Sequence, residues 1–414
     1  HDDFIRTTEK RHESKVQEFF SMLQASGDIY KGRYEGLYDV VSEAFVKESD
    51  AVKGPGATLL GPDSGKPLQK LSEETYFFKL SQYGPRLLAH YKANPDFLAP
   101  SHRAAEIQRF VEGGLDDISV SRTKVKWGIP VPGDAEHTIY VWFDALINYW
   151  SATAGTDLWP ADVHIVGKEI YRFHAVIWPA MLMAAGLPLP KKVFAHGWWT
   201  VDGEKMSKSL GNFVDPYDIT VEFGVDAFRY FLLREMPFGN DGDFSKASLT
   251  RRYNAELAND LGNLVSRVAE MVDKFIGGRL PPKPPLDGDF YTTVVAKRTP
   301  ELSEKMENLD FHGALDTIWD VIRSLNARVN EKAPWKLAKT DLKQCEIVLF
   351  DLVWSLRLVS GWLEPFMPQT AAKIHMQIGV RLFPDALRAE DVLAGVKERP
   401  GLIQKGPVLF PRKP

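Results

Sequence analysis

The sequence predicts an α/β fold with a parallel sheet, a small α+β insertion, and an α-helical bundle behind it. Three observations carry this. Across residues 116–199, apolar strands alternate with helical stretches and glycines sit at strand ends, in "TIYVWFDALINYW", "DVHIVGKEIYRFHAVIWPAMLMAAG" and "KKVFAHGWWT". Alternation of this kind builds a parallel sheet with crossover helices. An aromatic-rich stretch with strand character, "DIYKGRYEGLYDVVSEAF", lies well before it. After about Ser245 the strands stop and long helical periods take over, as in a bundle.

Taken in order, residues 11–23 alternate charged and apolar side chains at helical spacing and predict a surface helix. Short strands are expected over 28–45, a Gly/Pro-rich loop over 53–67, and helices over 74–93 and 103–112. In the alternating region ligands bind at the C-terminal strand edges, where residues 142–144, 164–167 and 196–197 are expected to gather. Long helices are expected over 247–275, 313–332 and 342–363. The prolines of "GGRLPPKPPLDGD" make a loop, and the end, "GPVLFPRKP", is irregular.

With 414 residues the chain has room for two or three domains with sizeable cores. Its 44% hydrophobic and 26% charged residues exclude a disordered chain. The net charge of -4 gives no global basic excess, although a local basic track can sit on an acidic body. The single Cys345 excludes an intrachain disulfide and a multi-cysteine metal site, and points to a reducing compartment. No run reaches the length of a membrane span. The chain starts at His1 rather than Met and opens directly on "HDDFIRTTEK", which reads as a chain without its natural start.

The stretch "VDGEKMSKSLGN" carries the sharpest chemistry. Lys205 and Lys208 can meet phosphates as point charges, with the Ser207 and Ser209 hydroxyls beside them. Together they could hold a triphosphate and stabilise the charge on departing pyrophosphate, while Gly203 and Gly211 let the loop close. A second set is aromatic. Trp142, Tyr149, Phe173, His174 and Trp178, with Val141 and Ala145 beside them, fall on two strand-to-helix units. Such a wall suits an unbranched thioether, since sulfur contacts aromatic rings favourably; each residue taken singly is as readily core. Gly167 lets a nucleoside approach the backbone, and Glu169 offers a carboxylate to ribose hydroxyls or serves as a first-turn helix acid. Asn259, Asn263 and Arg267 are spaced by four and so share a helix face, and Trp335 follows Pro334. Amides, a guanidinium and an indole can read and stack on unpaired bases, or form a polar face beside a core tryptophan.

The string "KMSKS" is the signature of class I aminoacyl-tRNA synthetases. "YVWFDALINYW", "HIVGKEIYRFHAVIWPA", "VFAHGWWT" and "REMPFGNDGDFS" resemble the methionyl-tRNA synthetase family, in its bacterial and organellar branch, over essentially the whole chain. The resemblance implies the second half of a class I Rossmann-type sheet. It implies catalytic roles for Lys205, Lys208 and Arg122, and ATP contacts from Gly167, Glu169, His196, Gly197, Lys205, Met206, Ser207, Lys208 and Ser209. It implies a methionine pocket of Val141, Trp142, Ala145, Tyr149, Phe173, His174 and Trp178, and anticodon contacts from Asn259, Asn263, Arg267 and Trp335.

The implied domains are the end of the first catalytic half (1–27), a connective insertion (28–115) and the second catalytic half (116–199). The KMSKS loop with a stem-contact region (200–246), the anticodon-binding helices (247–385) and a tail (386–414) follow. Implied cofactors are ATP with Mg2+. Implied partners are L-methionine and tRNA(Met), with a monomer in the bacterial cytoplasm or an organellar matrix and no membrane. Three departures stand out. The family usually has Asp where Glu169 stands, and where many members carry zinc-binding Cys pairs this chain has Asp39 and Ser42, so no zinc is expected. The N-terminal His-x-Gly-His element is also absent, and the isolated chain is expected to be poorly active. The alternatives are a non-catalytic tRNA-binding fragment and a class I synthetase for another apolar amino acid.

Overall fold

The computed structural model describes residues 1–41, 44–46, 48, 50–62, 64–201, 203–206, 211–280, 290, 297–379 and 402–414. The chain divides into two units, His1–His196 and Gly197–Pro414.

The first unit opens on α1 (Lys10–Ala25). Its residues His12, Val16, Phe19, Phe20 and Leu23 recur at the helical period and are all buried. The expected surface helix is therefore one whose inner face is core. Strands β1 (Ile29–Asp39), β2 (Ala44–Val46) and β3 (Gln69–Phe78) follow. The loop expected between them holds one short ladder, Val52 and Lys53 against Leu60 and Leu59. β3 corrects the helix expected from residue 74: up to Phe78 the chain is strand, paired antiparallel with β1 in the register Ile29↔Phe78 and Tyr30↔Phe77. The aromatic run decides this. Tyr76 and Phe78 go into the core, while Phe77 stacks on Tyr30 at 5.4 Å on the other face, as a period of two demands.

A 3-10 turn, Leu80–Tyr83, leads into α2 (Gly84–Ala93), which has a proline in its first turn. Then come β4 (Leu98–Ala99), α3 (Ser101–Glu112), β5 (Ile118–Ser119), β6 (Ser121–Arg122), β7 (Pro130–Val131) and β8 (Asp134–Ile139). The unit ends with α4 (Val141–Leu146), α5 (Asn148–Thr153), β9 (Val163–Gly167), α6 (Trp178–Ala185) and β10 (Lys192–His196). The larger sheets are antiparallel β2-β1-β3-β5, antiparallel β6-β8-β7, and parallel β9-β10-β4. The strand of "TIYVWFDALINYW" is thus in the antiparallel set. Its partners β6 and β7 lie close before it in sequence, and short connections allow only antiparallel pairing.

The second unit starts with β11 (Trp199–Val201), β12 (Glu204–Lys205), α7 (Pro216–Phe223), α8 (Val225–Arg234) and β13 (Gly242–Phe244). The helical part is α9 (Lys246–Arg252), a π-helical stretch Tyr253–Gly262, α10 (Asn263–Ile276), α11 (Arg298–Glu307), α12 (Phe311–Lys332), α13 (Pro334–Thr340), α14 (Leu342–Leu363) and α15 (Pro368–Gln377). Asp310 and Asp341 cap α12 and α14 by accepting from the backbone N–H groups of Gly313 and Gln344. From Val348 to Ser360 every residue of α14 is buried, the mostly apolar stretch also burying Asp351 against Arg328 at 2.8 Å. Most of the proline-rich linker after Gly277 lies outside the described residues.

Candidate functional site

The aromatic set lies wholly in the first unit. α4 and α5 have six residues each, too short to persist without tertiary support. Phe143, Leu146, Ile147 and Trp150 supply it from the core. Opposite them the chain makes a π-helical turn, Phe173–Ile177, before α6; such wide turns re-aim side chains and recur at functional sites.

Two contacts result. The Trp142 and Phe173 rings stack at 4.0 Å with planes 16° apart. Tyr149 and His174 meet through a hydrogen bond of 2.7 Å between the phenol oxygen and Nε2. The other ring nitrogen of His174 lies 3.0 Å from the Ile170 carbonyl. A carbonyl only accepts, so Nδ1 carries the proton and Nε2 accepts from the Tyr149 hydroxyl. His164 extends the cluster. Its ring lies 4.1 Å from that of Tyr149, and its Nε2 accepts from the Trp178 indole at 3.3 Å. Burial, with His174 nearby, pushes the His164 pKa down to about 4. Burial also lowers that of His174, against the Ile170 carbonyl, and pushes the Tyr149 phenol up to about 12. The cluster is therefore neutral at physiological pH.

Trp178 is 0% exposed and braces Tyr149 and His164 from beneath, while Val141 is 61% exposed. Val141 and Ala145 share α4 with Trp142. Sequence reasoning placed His164 and Asp144 at the expected ligand edge without giving either a role, and it missed the buried His12 and Ser151 that join Asp144.

At the strand ends, Gly167 and His196 are register partners in the parallel pair β9–β10. A Cβ on Gly167 would collide with the Glu169 carboxylate, which curls back over that glycine. Arg122 lies with its guanidinium 4.1 Å from the centre of the Tyr140 ring, just before α4, and donates to Ser119 Oγ and the Ser121 carbonyl, both at 2.8 Å.

In the second unit a Cβ on Gly197 would run into the Asn240 backbone. Lys205 ends β12, opposite Thr200, and Met206 packs on the core. The turn before them has Gly203 at φ 76°, a left-handed conformation suited to glycine. Its N–H donates to Asp243 Oδ1 at 2.9 Å, and the Thr200 hydroxyl reaches the same oxygen at 2.7 Å. Ser207, Lys208 and Ser209 lie outside the described residues, as does the Lys205 side chain.

The helical residues sit differently from a simple four-residue ladder. Asn259 is in the π-helical stretch, and Asn263 and Arg267 are in α10. Asn263 and Arg267 keep α spacing; Asn259 is displaced by the wider turn. Asn259 accepts from Arg412 at 2.7 Å and Arg267 donates to Asn330 at 3.0 Å. Trp335 follows Ala333, whose φ of 43° is left-handed, and Pro334. It is 39% exposed, which sets it apart from the core tryptophans Trp319 and Trp354.

Comparison with known proteins fits this arrangement. Residues 1–60 and 61–269 match the family described as tRNA synthetases class I (M). The chain is 47% identical to a methionine–tRNA ligase of Caldanaerobacter subterraneus subsp. tengcongensis over 100% of its own length and 65% of that protein's. It is 46% identical to one of Streptomyces coelicolor over 99% of its own length and 80% of that protein's. A solved structure of Mycobacterium tuberculosis methionyl-tRNA synthetase in complex with methionyl-adenylate superposes with a TM-score of 0.89 at 41% identity, covering 99% of this chain and 83% of that one. The chain thus spans about two thirds of the first relative's length, and it belongs to the methionyl-tRNA synthetases of the class I tRNA synthetase family.

Proposed function

We propose that the full-length protein activates L-methionine with ATP and transfers it to tRNA(Met). The observation that carries this reading is the neutral aromatic wall of Trp142, Phe173, Tyr149 and His174. A wall without formal charge favours a thioether over a charged side chain, and polarisable sulfur over bare hydrocarbon.

In the proposed reaction the methionine carboxylate attacks the α-phosphorus of ATP and pyrophosphate leaves. A hydroxyl of the terminal tRNA ribose then attacks the adenylate carbonyl and AMP leaves. Mg2+ would accompany the triphosphate and spread its charge. Lys205 and Lys208, with Ser207 and Ser209, are assigned to the leaving pyrophosphate. Gly167, Glu169, His196, Gly197 and Met206 are assigned to the nucleotide, and Arg122 to the developing charge. Val141, Trp142, Ala145, Tyr149, Phe173, His174 and Trp178 are assigned to methionine, Trp178 by supporting the wall. Asn259, Asn263, Arg267 and Trp335 are assigned to the anticodon. No protein nucleophile is needed, and the only cysteine, Cys345, is buried with its thiol pushed up by that burial.

We further propose a monomer without zinc, working in a bacterial cytoplasm or an organellar matrix. Among the described residues no helix is long and apolar enough to cross a membrane. The deciding experiment is methionine-dependent exchange of pyrophosphate into ATP by the full-length protein, with leucine and isoleucine as competitors. Exchange driven by methionine alone supports the reading. Exchange driven equally by a branched amino acid, or none at all, overturns it.

A further inference from the structure

α4 and α5 carry Trp142, Ala145 and Tyr149, yet each is too short to hold its place unaided. One side chain outside them is hydrogen-bonded to both. His12 on α1 is 0% exposed. Its Nε2 lies 2.5 Å from Asp144 Oδ1 on α4, and its Nδ1 lies 2.8 Å from Ser151 Oγ on α5. Asp144 sits between Trp142 and Ala145 in sequence, and Ser151 lies two residues beyond Tyr149.

The other contacts described from α1 to these helices are to aromatic rings, among them Lys15 over the Trp150 ring at 5.0 Å. Phe19 meets Phe143 at 6.3 Å and Trp150 at 5.6 Å, and Phe20 meets Phe143 at 5.6 Å. Ring contacts of this kind resist separation but tolerate sliding, whereas two hydrogen bonds from one rigid ring fix both distance and direction.

We propose that His12 is a positioning residue for the methionine pocket: bonded to Asp144 and Ser151, it fixes how far Trp142 and Tyr149 stand from Phe173 and His174. This rests on the pocket reading above. His12 touches no substrate; it acts through α4 and α5. Removing it leaves the mostly buried Asp144 carboxylate without its ring partner, so α4 shifts toward water and the wall loses its spacing.

The test uses the full-length protein with His12→Ala, His12→Gln and Trp142→Ala. Methionine binding is measured by calorimetry, KM for methionine and for ATP by pyrophosphate exchange, and folding by circular dichroism. Glutamine can still donate to Asp144 but cannot span both helices, so it separates bridging from mere pairing. Loss of a hydrogen bond to a charged group corresponds to about a tenfold change in affinity. The expected result is that methionine binding weakens by about that factor in both His12 variants, with KM for ATP within about twofold of the parent. If His12→Ala does not fold, His12→Gln decides. A folded His12→Gln protein that binds methionine within about twofold of the parent overturns the proposal, and so does a matched rise in both KM values. Trp142→Ala separates the two failures. If it weakens methionine binding and His12→Gln does not, only the bridging role falls. If it too leaves methionine binding unchanged, the pocket reading falls and the proposal with it.

Discussion

The Tyr149 hydroxyl donates to Nε2 of His174, while Nδ1 of the same ring donates to the Ile170 carbonyl. One tautomer satisfies both bonds. The tyrosine end is thereby held at a set angle to the π-helical turn, Phe173–Ile177. Tyr149→Phe keeps the ring and leaves the buried Nε2 without its donor, at a cost of about 1–3 kcal/mol. The expected outcome is a KM for methionine raised about tenfold with KM for ATP nearly unchanged. Steady-state exchange with each substrate varied in turn checks it. An unchanged methionine KM removes Tyr149 from the pocket wall.

His164 makes stability depend on pH. Its folded pKa is pushed down to about 4 by burial, against about 6.5 unfolded. Between these values the unfolded chain binds the proton and the folded chain does not, so stability falls as pH falls through that window. The full difference is about 3 kcal/mol, present above pH about 6.5 and gone below about 4. NMR titration of the ring checks it: the expected histidine stays neutral down to pH about 5. A midpoint near the unfolded value contradicts the buried cluster.

Much of this fold was legible from local pattern. The period of 342–363 matches α14 (Leu342–Leu363) residue for residue, because a long apolar helix is specified by its own sequence. The strand β3 was not. Glu73 and Glu74 read as helix formers, and only pairing with β1, roughly forty residues away, makes Tyr76 and Phe78 alternate. The stretches Phe173–Ile177 and Tyr253–Gly262 were also hidden, since a π turn uses the same residues as an α turn. His12 escaped notice because its partner Asp144 is 132 residues distant, and nothing local marks a buried histidine on an amphipathic stripe.

Lys208 tests the lysine loop. A cation that meets charge mainly in the transition state lowers rate rather than ground-state affinity when removed. Lys208→Ala in the full-length protein is expected to cut adenylate formation by about 10²–10³, equivalent to roughly 3 kcal/mol, with methionine binding unchanged. Single-turnover formation of the adenylate, beside calorimetric methionine binding, reads both. A rate within about twofold of the parent, far short of that effect, takes the loop out of catalysis.

Trp335 tests the RNA assignment. The left-handed Ala333 and Pro334 turn the chain between α12 and α13, and Trp335 emerges 39% exposed. A core tryptophan would be costly to truncate, by about 3–5 kcal/mol; an exposed one loses little packing. If its indole stacks on an anticodon base, Trp335→Ala removes about 1–3 kcal/mol from tRNA binding. The expected protein therefore charges tRNA(Met) less efficiently, yet forms adenylate at the parental rate and melts at the parental temperature. Charging, adenylate formation and melting are measured on one preparation, because their combination decides. A charging defect alone fits base stacking. A fall in all three means that Trp335 serves the helical bundle instead, with its exposed edge incidental. Parental charging means that Trp335 takes no part in reading the anticodon.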